Sequence, residues 1–236
     1  MTTSSKIISI HQPNFIPWLG YFYKIYTSDV FVILDNVEYQ SGNANSITNR
    51  TKIKTANGEL MINVPVKKNE QSKLIIDMEI DNRQPWKTKM LKTIMFSYTK
   101  APFFKDIFPE FENLLNQNWE KLSELNTVLI IFIAEKLQIK TQIVKASEMS
   151  LTDEDRNGRL IEICKKLDGT IYLSGNGAKK YNDENLFHTN NIELRYTEFT
   201  PQPYPQLQGE FIKGLSVLDA LLNCGWEKTG ELITGS

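Results

Sequence analysis

Apolar residues fall in short runs near both ends of this chain and in helical periods through its middle. Ile7-Ile8-Ser9-Ile10 and Val30-Phe31-Val32-Ile33-Leu34 are brief, near-continuous apolar runs between polar residues. Such runs mark strands covered on both faces, as in parallel sheets. They predict strands over 6–10 and 29–35, with a helix over 19–26 between them, and a β–α–β crossover this tight favours a parallel pair. Arg50 to Thr55 and Leu60 to Val66 flank Ala56-Asn57-Gly58-Glu59, where Asn-Gly between strand-like runs signals a hairpin. Leu74 to Ile80 reads as a further strand. From Trp86 the period becomes helical, predicting helices over 86–98, 103–117 and 119–138, broken at Pro102 and near Asn118.

The last third returns to alternation. Thr141 to Lys145 predicts a short strand, and Thr152 is placed to cap a helix running to Leu167, whose early acids suit the helix dipole. Thr170 to Ser174 is a strand ending in Gly175-Asn176-Gly177, followed by a helix to about His188 and a strand over 192–199. Leu215 to Asn223 predicts a final helix, stopped by Cys224-Gly225. The reading is α/β: a mainly parallel sheet with flanking helices, a β-hairpin and a helical insertion at about 86–140, all within a single domain over 1–236.

Composition narrows the function classes. The chain has 236 residues, 41% of them hydrophobic, with 27 basic and 28 acidic side chains for a net charge of −1. That balance argues against general nucleic-acid binding, which needs a basic stripe. The first residues, Met1 to Lys6, hold no apolar core of a secretory signal. The greasiest segment, Val128 to Ala134, is far below the roughly 18 apolar residues of a membrane span. Cys164 and Cys224 are too few for a disulfide framework or a zinc site. A cytoplasmic location is expected, with no metal or bound cofactor.

The candidate chemistry gathers at two strand–turn–helix units. His11-Gln12-Pro13-Asn14-Phe15-Ile16-Pro17-Trp18-Leu19-Gly20-Tyr21 follows the first strand, and its two prolines forbid strand continuation. In open α/β sheets ligands bind beyond the carboxyl ends of the strands. His11 is the acid/base candidate, since imidazole titrates near about 6.5; its structural alternative is a ring that bonds a neighbouring carbonyl and holds the turn. Asp35 ends the second strand, placed either to orient that imidazole or to cap the following turn. Asn49, Arg50 and Lys52 open the hairpin, with the two cations on one strand face. They suit phosphate or carboxylate, or protect a solvated strand edge. The Ser174-Gly175 turn offers backbone N–H groups to an anion, without the spacing of a P-loop or a dinucleotide fingerprint. Pro201 to Gln206 cannot form regular structure and offers Tyr204 and Gln206 as polar contacts, or serves as a connector.

Together these segments resemble the WbqC-like family. The likeness runs collinearly from about residue 7 to 226: the His11 to Phe22 stretch, Asp35 with Val37 and Tyr39, Asn49-Arg50, Tyr98 to Pro102, Tyr172 to Gly175, Tyr204-Pro205-Gln206, and Leu215 to Asp219 with Asn223 and Gly225. The family is bacterial and linked to O-antigen and other surface-polysaccharide loci. The resemblance implies a glycine or aminoacyl (or acyl) transferase acting on a nucleotide-linked amino sugar, with that nucleotide sugar and an activated acyl donor as partners. It supplies no catalytic residues, so the roles rest on the residues themselves: His11 and Asp35 catalytic, Gln12, Asn49, Arg50, Lys52, Ser174, Gly175, Tyr204 and Gln206 binding, and Trp18 and Tyr21 shaping the pocket beside Tyr204. A weaker similarity is to nucleotidyltransferase-like folds, whose HxGH histidines would here be Trp18 and Tyr21. That departure counts against adenylyl transfer with Mg²⁺, which stays as an alternative beside a non-catalytic nucleotide-sugar binder.

Overall fold

The structure is a computed structural model that describes residues 5–40, 47–68 and 70–235. Among these, five parallel strands form one sheet: β1 (Ile7–His11), β2 (Val30–Ile33), β5 (Gln142–Lys145), β6 (Ile171–Ser174) and β7 (Glu193–Tyr196). Their spatial order is β5-β2-β1-β6-β7, so the chain first builds outward from β1 on one side and later returns to build on the other. The reversal falls between β1 and β6. The antiparallel hairpin β3 (Arg50–Thr55) and β4 (Gly58–Asn63) stands apart from this sheet.

Strand pleating explains the double burial that the apolar runs predict. Ile8, Ile10, Val30 and Val32 face one core, packed by Leu160, Ile161, Ile163 and Cys164 of α5 (Arg156–Lys166) and by Phe187 of α6 (Glu184–Thr189). Phe31 and Ile33 face the other and larger core. It is shared with α1 (Leu19–Tyr26), α2 (Trp86–Tyr98), α3 (Phe104–Asn116), α4 (Leu122–Lys136) and α7 (Val217–Thr234). The apolar run at Val128 lies within α4, where Leu129, Ile130, Ile133 and Ala134 are buried. Among the described residues no helix is long and apolar enough to cross a membrane.

Several elements differ from the sequence reading. Leu74 to Ile80 is not a strand: Ile75–Asp77 forms a 3-10 turn between isolated bridges from Leu74 to Glu38 and from Ile80 to Val66. The buried residues Ile75 and Met78 are one such turn apart, a spacing that strand alternation does not supply. β4 ends at Asn63, ahead of Pro65, which has no N–H for a ladder. α5 is capped by Asp155, not Thr152; its carboxylate accepts from the Asn157 and Gly158 N–H groups at 2.9 Å, while Thr152 bonds Glu162. After β6 the chain makes a 3-10 turn over Asn176–Tyr181, and α6 begins afresh at its own cap, Asp183.

The loop after β1 is pinned by groups of other elements that donate to its carbonyls. Asn126 of α4 donates to the carbonyls of Pro13 (2.8 Å) and Thr48 (2.7 Å). The Ile16 carbonyl accepts from the hydroxyls of Thr51 (2.9 Å) and Ser216 (2.8 Å), and Pro17 O from Val217 N. Ile16 itself has φ 36°, a rare conformation for a β-branched residue. Pro13 to Pro17 are buried. Most of the opening motif is thus a clasp between β1, the hairpin and the start of α7.

Candidate functional site

β1 pairs with β2 through His11↔Ile33 but with β6 only through Ser9↔Leu173. Beyond that point β1 and β6 part, at the position where the strand order reverses, and a cleft of about 800 Å³ opens there. Crevices at such switch points are the usual ligand sites of open α/β sheets. β1 contributes Ile10, His11 and then Gln12; the loop after β2 contributes Asn36 and Glu38; α5 contributes Arg156 and Arg159; Ser174 and Gly175 end β6.

His11 Nδ1 lies 3.2 Å from the Gln12 carbonyl, which also accepts from Tyr21 Oη at 3.0 Å. A carbonyl only accepts, so Nδ1 carries the proton and Nε2 keeps a lone pair. The ring stands edge-on to Tyr21, 4.9 Å between centroids. Burial first, then the charge of Lys24, lowers the His11 pKa to about 3, against the opposing effect of the Gln12 bond. The imidazole is neutral throughout the physiological range.

Lys24 reaches the same cleft from α1. It is 3% exposed, and its Nζ donates to the Ile10 carbonyl at 2.8 Å. Burial lowers its pKa to about 7. Among the described residues it makes no salt bridge. Across the cleft, Arg159 donates to the carbonyls of Asn36 and Asp153, both at 3.1 Å, and the Arg156 guanidinium lies 4.8 Å over the Tyr181 ring. Three basic side chains therefore face two acidic ones, Glu38 and Glu154. Ser174 is fully buried and its Oγ accepts from Asn182 Nδ2 at 2.9 Å. A Cβ at Gly175 or Gly177 would touch nothing within 4 Å, so this wall of the cleft is bare backbone. Among the described residues no group of three His, Cys, Asp or Glu is placed to hold a metal ion.

The structure brings His11, Gln12, Ser174 and Gly175 together, with Tyr21 just beneath His11. It places the other sequence-predicted residues elsewhere. Asp35 is buried and accepts from Ser147 N (2.9 Å) and Ser147 Oγ (2.6 Å), lining a separate cavity with Lys121 and Ser123. Its carboxylate ties β2 to the turn after β5 rather than orienting His11. Trp18 packs on Phe199 and lies against Gly20, where a Cβ would meet its ring at 2.3 Å. Asn49 donates to Val64 O within the hairpin, Arg50 lies beside Tyr39, and Lys52 pairs with Glu59 at 2.9 Å. Tyr204 donates to Asp219 at 2.8 Å, and Gln206 accepts from Lys54 Nζ at 3.1 Å, in a buried network with Tyr98. These two join the proline-rich segment to α7 and the hairpin. Lys24, Arg156 and Arg159 were not singled out by sequence. A lysine among Tyr21, Phe22 and Ile25 of α1 is the one sequence feature by which the first could have been sought, and without its burial it says little.

A model of the WbqC-like protein family matches residues 12–231. The chain belongs to the WbqC-like family. The match takes in every cleft residue named above except Ile10 and His11. This WbqC-like chain is also 32% identical over 225 residues to an uncharacterized protein, Rv1507c, of Mycobacterium tuberculosis (strain ATCC 25618 / H37Rv), covering 94% of this chain and 95% of that one. No solved structure matches it.

Proposed function

We propose that this WbqC-like protein transfers a glycyl, aminoacyl or other acyl group to the amine of a nucleotide-linked amino sugar, as a step in bacterial surface-polysaccharide (O-antigen) assembly. The observation that carries this reading is the excess of basic side chains, one of them buried and without a salt bridge among the described residues, around a neutral histidine at the switch point of the sheet. The ligand's phosphates lie against that charge, and Gln12 and the Ser174-Gly175 turn orient the sugar. The sugar amine attacks the acyl carbonyl carbon: a C–N bond forms, the bond from carbon to the leaving group breaks, and the amine proton passes to His11 Nε2. The doubly charged diphosphate beside the ring favours the imidazolium and raises its pKa from the low value of the free protein.

The test is incubation with nucleotide-linked amino sugars and activated amino acids, followed by mass spectrometry of the amide product. His11→Ala is expected to lower kcat by roughly 100-fold or more, the usual contribution of a positioned base, while leaving the far-ultraviolet circular dichroism unchanged. Undiminished turnover in the folded variant removes His11 from the mechanism. The placement of the cleft at a site typical of nucleotides also suits a nucleotidyltransferase-like reaction, for which Mg²⁺-dependent pyrophosphate release is the distinguishing product.

A further inference from the structure

We propose that Lys24 anchors the diphosphate of the bound ligand in this cleft, an inference that rests on the reading above only in placing that ligand there. A lysine buried to 3% exposure ordinarily sits against a carboxylate, because an isolated ammonium is costly to take out of water. Lys24 makes no salt bridge among the described residues. Its Nζ partner is Ile10 O at 2.8 Å, and that carbonyl is available because of the splay itself. The carbonyls of Ile7 and His11 accept from Asp29 N and Leu34 N on the β2 side, so by alternation Ile10 O points toward β6. The last β1–β6 pair is Ser9↔Leu173, and no strand amide follows to claim it. The ammonium is thereby fixed where the two strands part, with Ile10 O its one hydrogen-bond acceptor among the described residues.

The charged and titratable groups that share the cleft are His11, Glu38, Glu154, Arg156, Arg159 and Tyr172. Arg159 lines the same cleft and is held by two carbonyls, so with Lys24 it offers a second cation to a doubly charged group. Glu38 and Glu154 do not pair with Lys24. Burial leaves the amine partly unprotonated near pH 7, so an arriving diphosphate draws a proton onto it.

Isothermal titration calorimetry of the full chain with UDP, inorganic pyrophosphate and uridine at pH 8 tests this. UDP and pyrophosphate are expected to bind and uridine not to; binding by uridine alone overturns the diphosphate assignment, as does failure of all three. Lys24→Met is expected to weaken UDP and pyrophosphate at least tenfold, and unchanged affinity overturns the proposal. A variant that does not fold leaves the wild-type protein to decide: UDP binding in buffers of different ionisation enthalpy should show net proton uptake. That uptake should persist in His11→Gln, since His11 is the other cleft group able to gain a proton; its absence overturns the role of Lys24. UDP binding that depends on Lys24 without acyl transfer leaves this inference standing and removes the transferase reading. Transfer with UDP affinity independent of Lys24 does the reverse.

Discussion

An imidazole that stays neutral down to about pH 3 makes the folded chain sensitive to acid. The unfolded chain takes up the His11 proton near about 6.5 and the native state does not, so the unfolded state binds more protons between those values. Stability is therefore lost as pH falls through that window, by roughly 2–3 kcal/mol from this group between pH 6.5 and 4.5. Urea unfolding at pH 7 and pH 4.5 should show a smaller acid loss in His11→Gln than in the wild type. Equal losses would mean that the ring is already protonated in the native state. His11 was legible in the sequence because a histidine at a strand end before two prolines is unusual composition. Lys24 was not, because the burial of an amine is a tertiary fact: on its own segment it is one more polar residue among aromatics. The tie made by Asp35 was hidden for the same reason, its partner Ser147 being 112 positions away.

Among the elements, the helices of the middle third were legible to within a few residues, since long periodic segments carry their own signal. The segments that were misread are short ones: at Ile75–Asp77 a 3-10 turn carries the brief apolar spacing of a strand, and at Asn176–Tyr181 a 3-10 turn stands where one helix to about His188 was expected. Glycine marked where the final helix breaks but not where it ends, since α7 runs on to Thr234 beyond the expected stop at Cys224-Gly225. Gly225 interrupts α7 at φ 79°, ψ 175°, after which the helix resumes. A Cβ there would meet the Phe103 ring at 2.8 Å. Gly225→Ala combines a left-handed backbone with that clash, so a loss of about 1–3 kcal/mol is expected in urea unfolding. A variant as stable as the wild type would show that Phe103, itself 38% exposed, swings aside freely.

At the scale of the whole molecule, a parallel α/β sheet follows from double-sided apolar runs joined by helices, but the strand order does not. Nothing local distinguishes β6 beside β1 from β6 beside β5. Only the order places Ser174 across from His11 and leaves the Arg50-Lys52 row outside the cleft. Hydrogen–deuterium exchange with saturating UDP checks that division. Protection is expected at residues 10–12, 36–38 and the first turn of α5, with the hairpin over 50–63 unchanged. Protection confined to the hairpin would move the anion site to Arg50 and Lys52.

The clasp at Ile16 also sets a timetable for the nascent chain. One of the two hydroxyls on its carbonyl, that of Ser216, lies 200 residues downstream. As the ribosome delivers the chain from its N-terminus, β1, α1 and β2 can pair early, but the loop that carries Gln12 has to wait for the last helix before its carbonyls are filled. The wall of the cleft that is synthesised first is thus among the last parts of the protein to set.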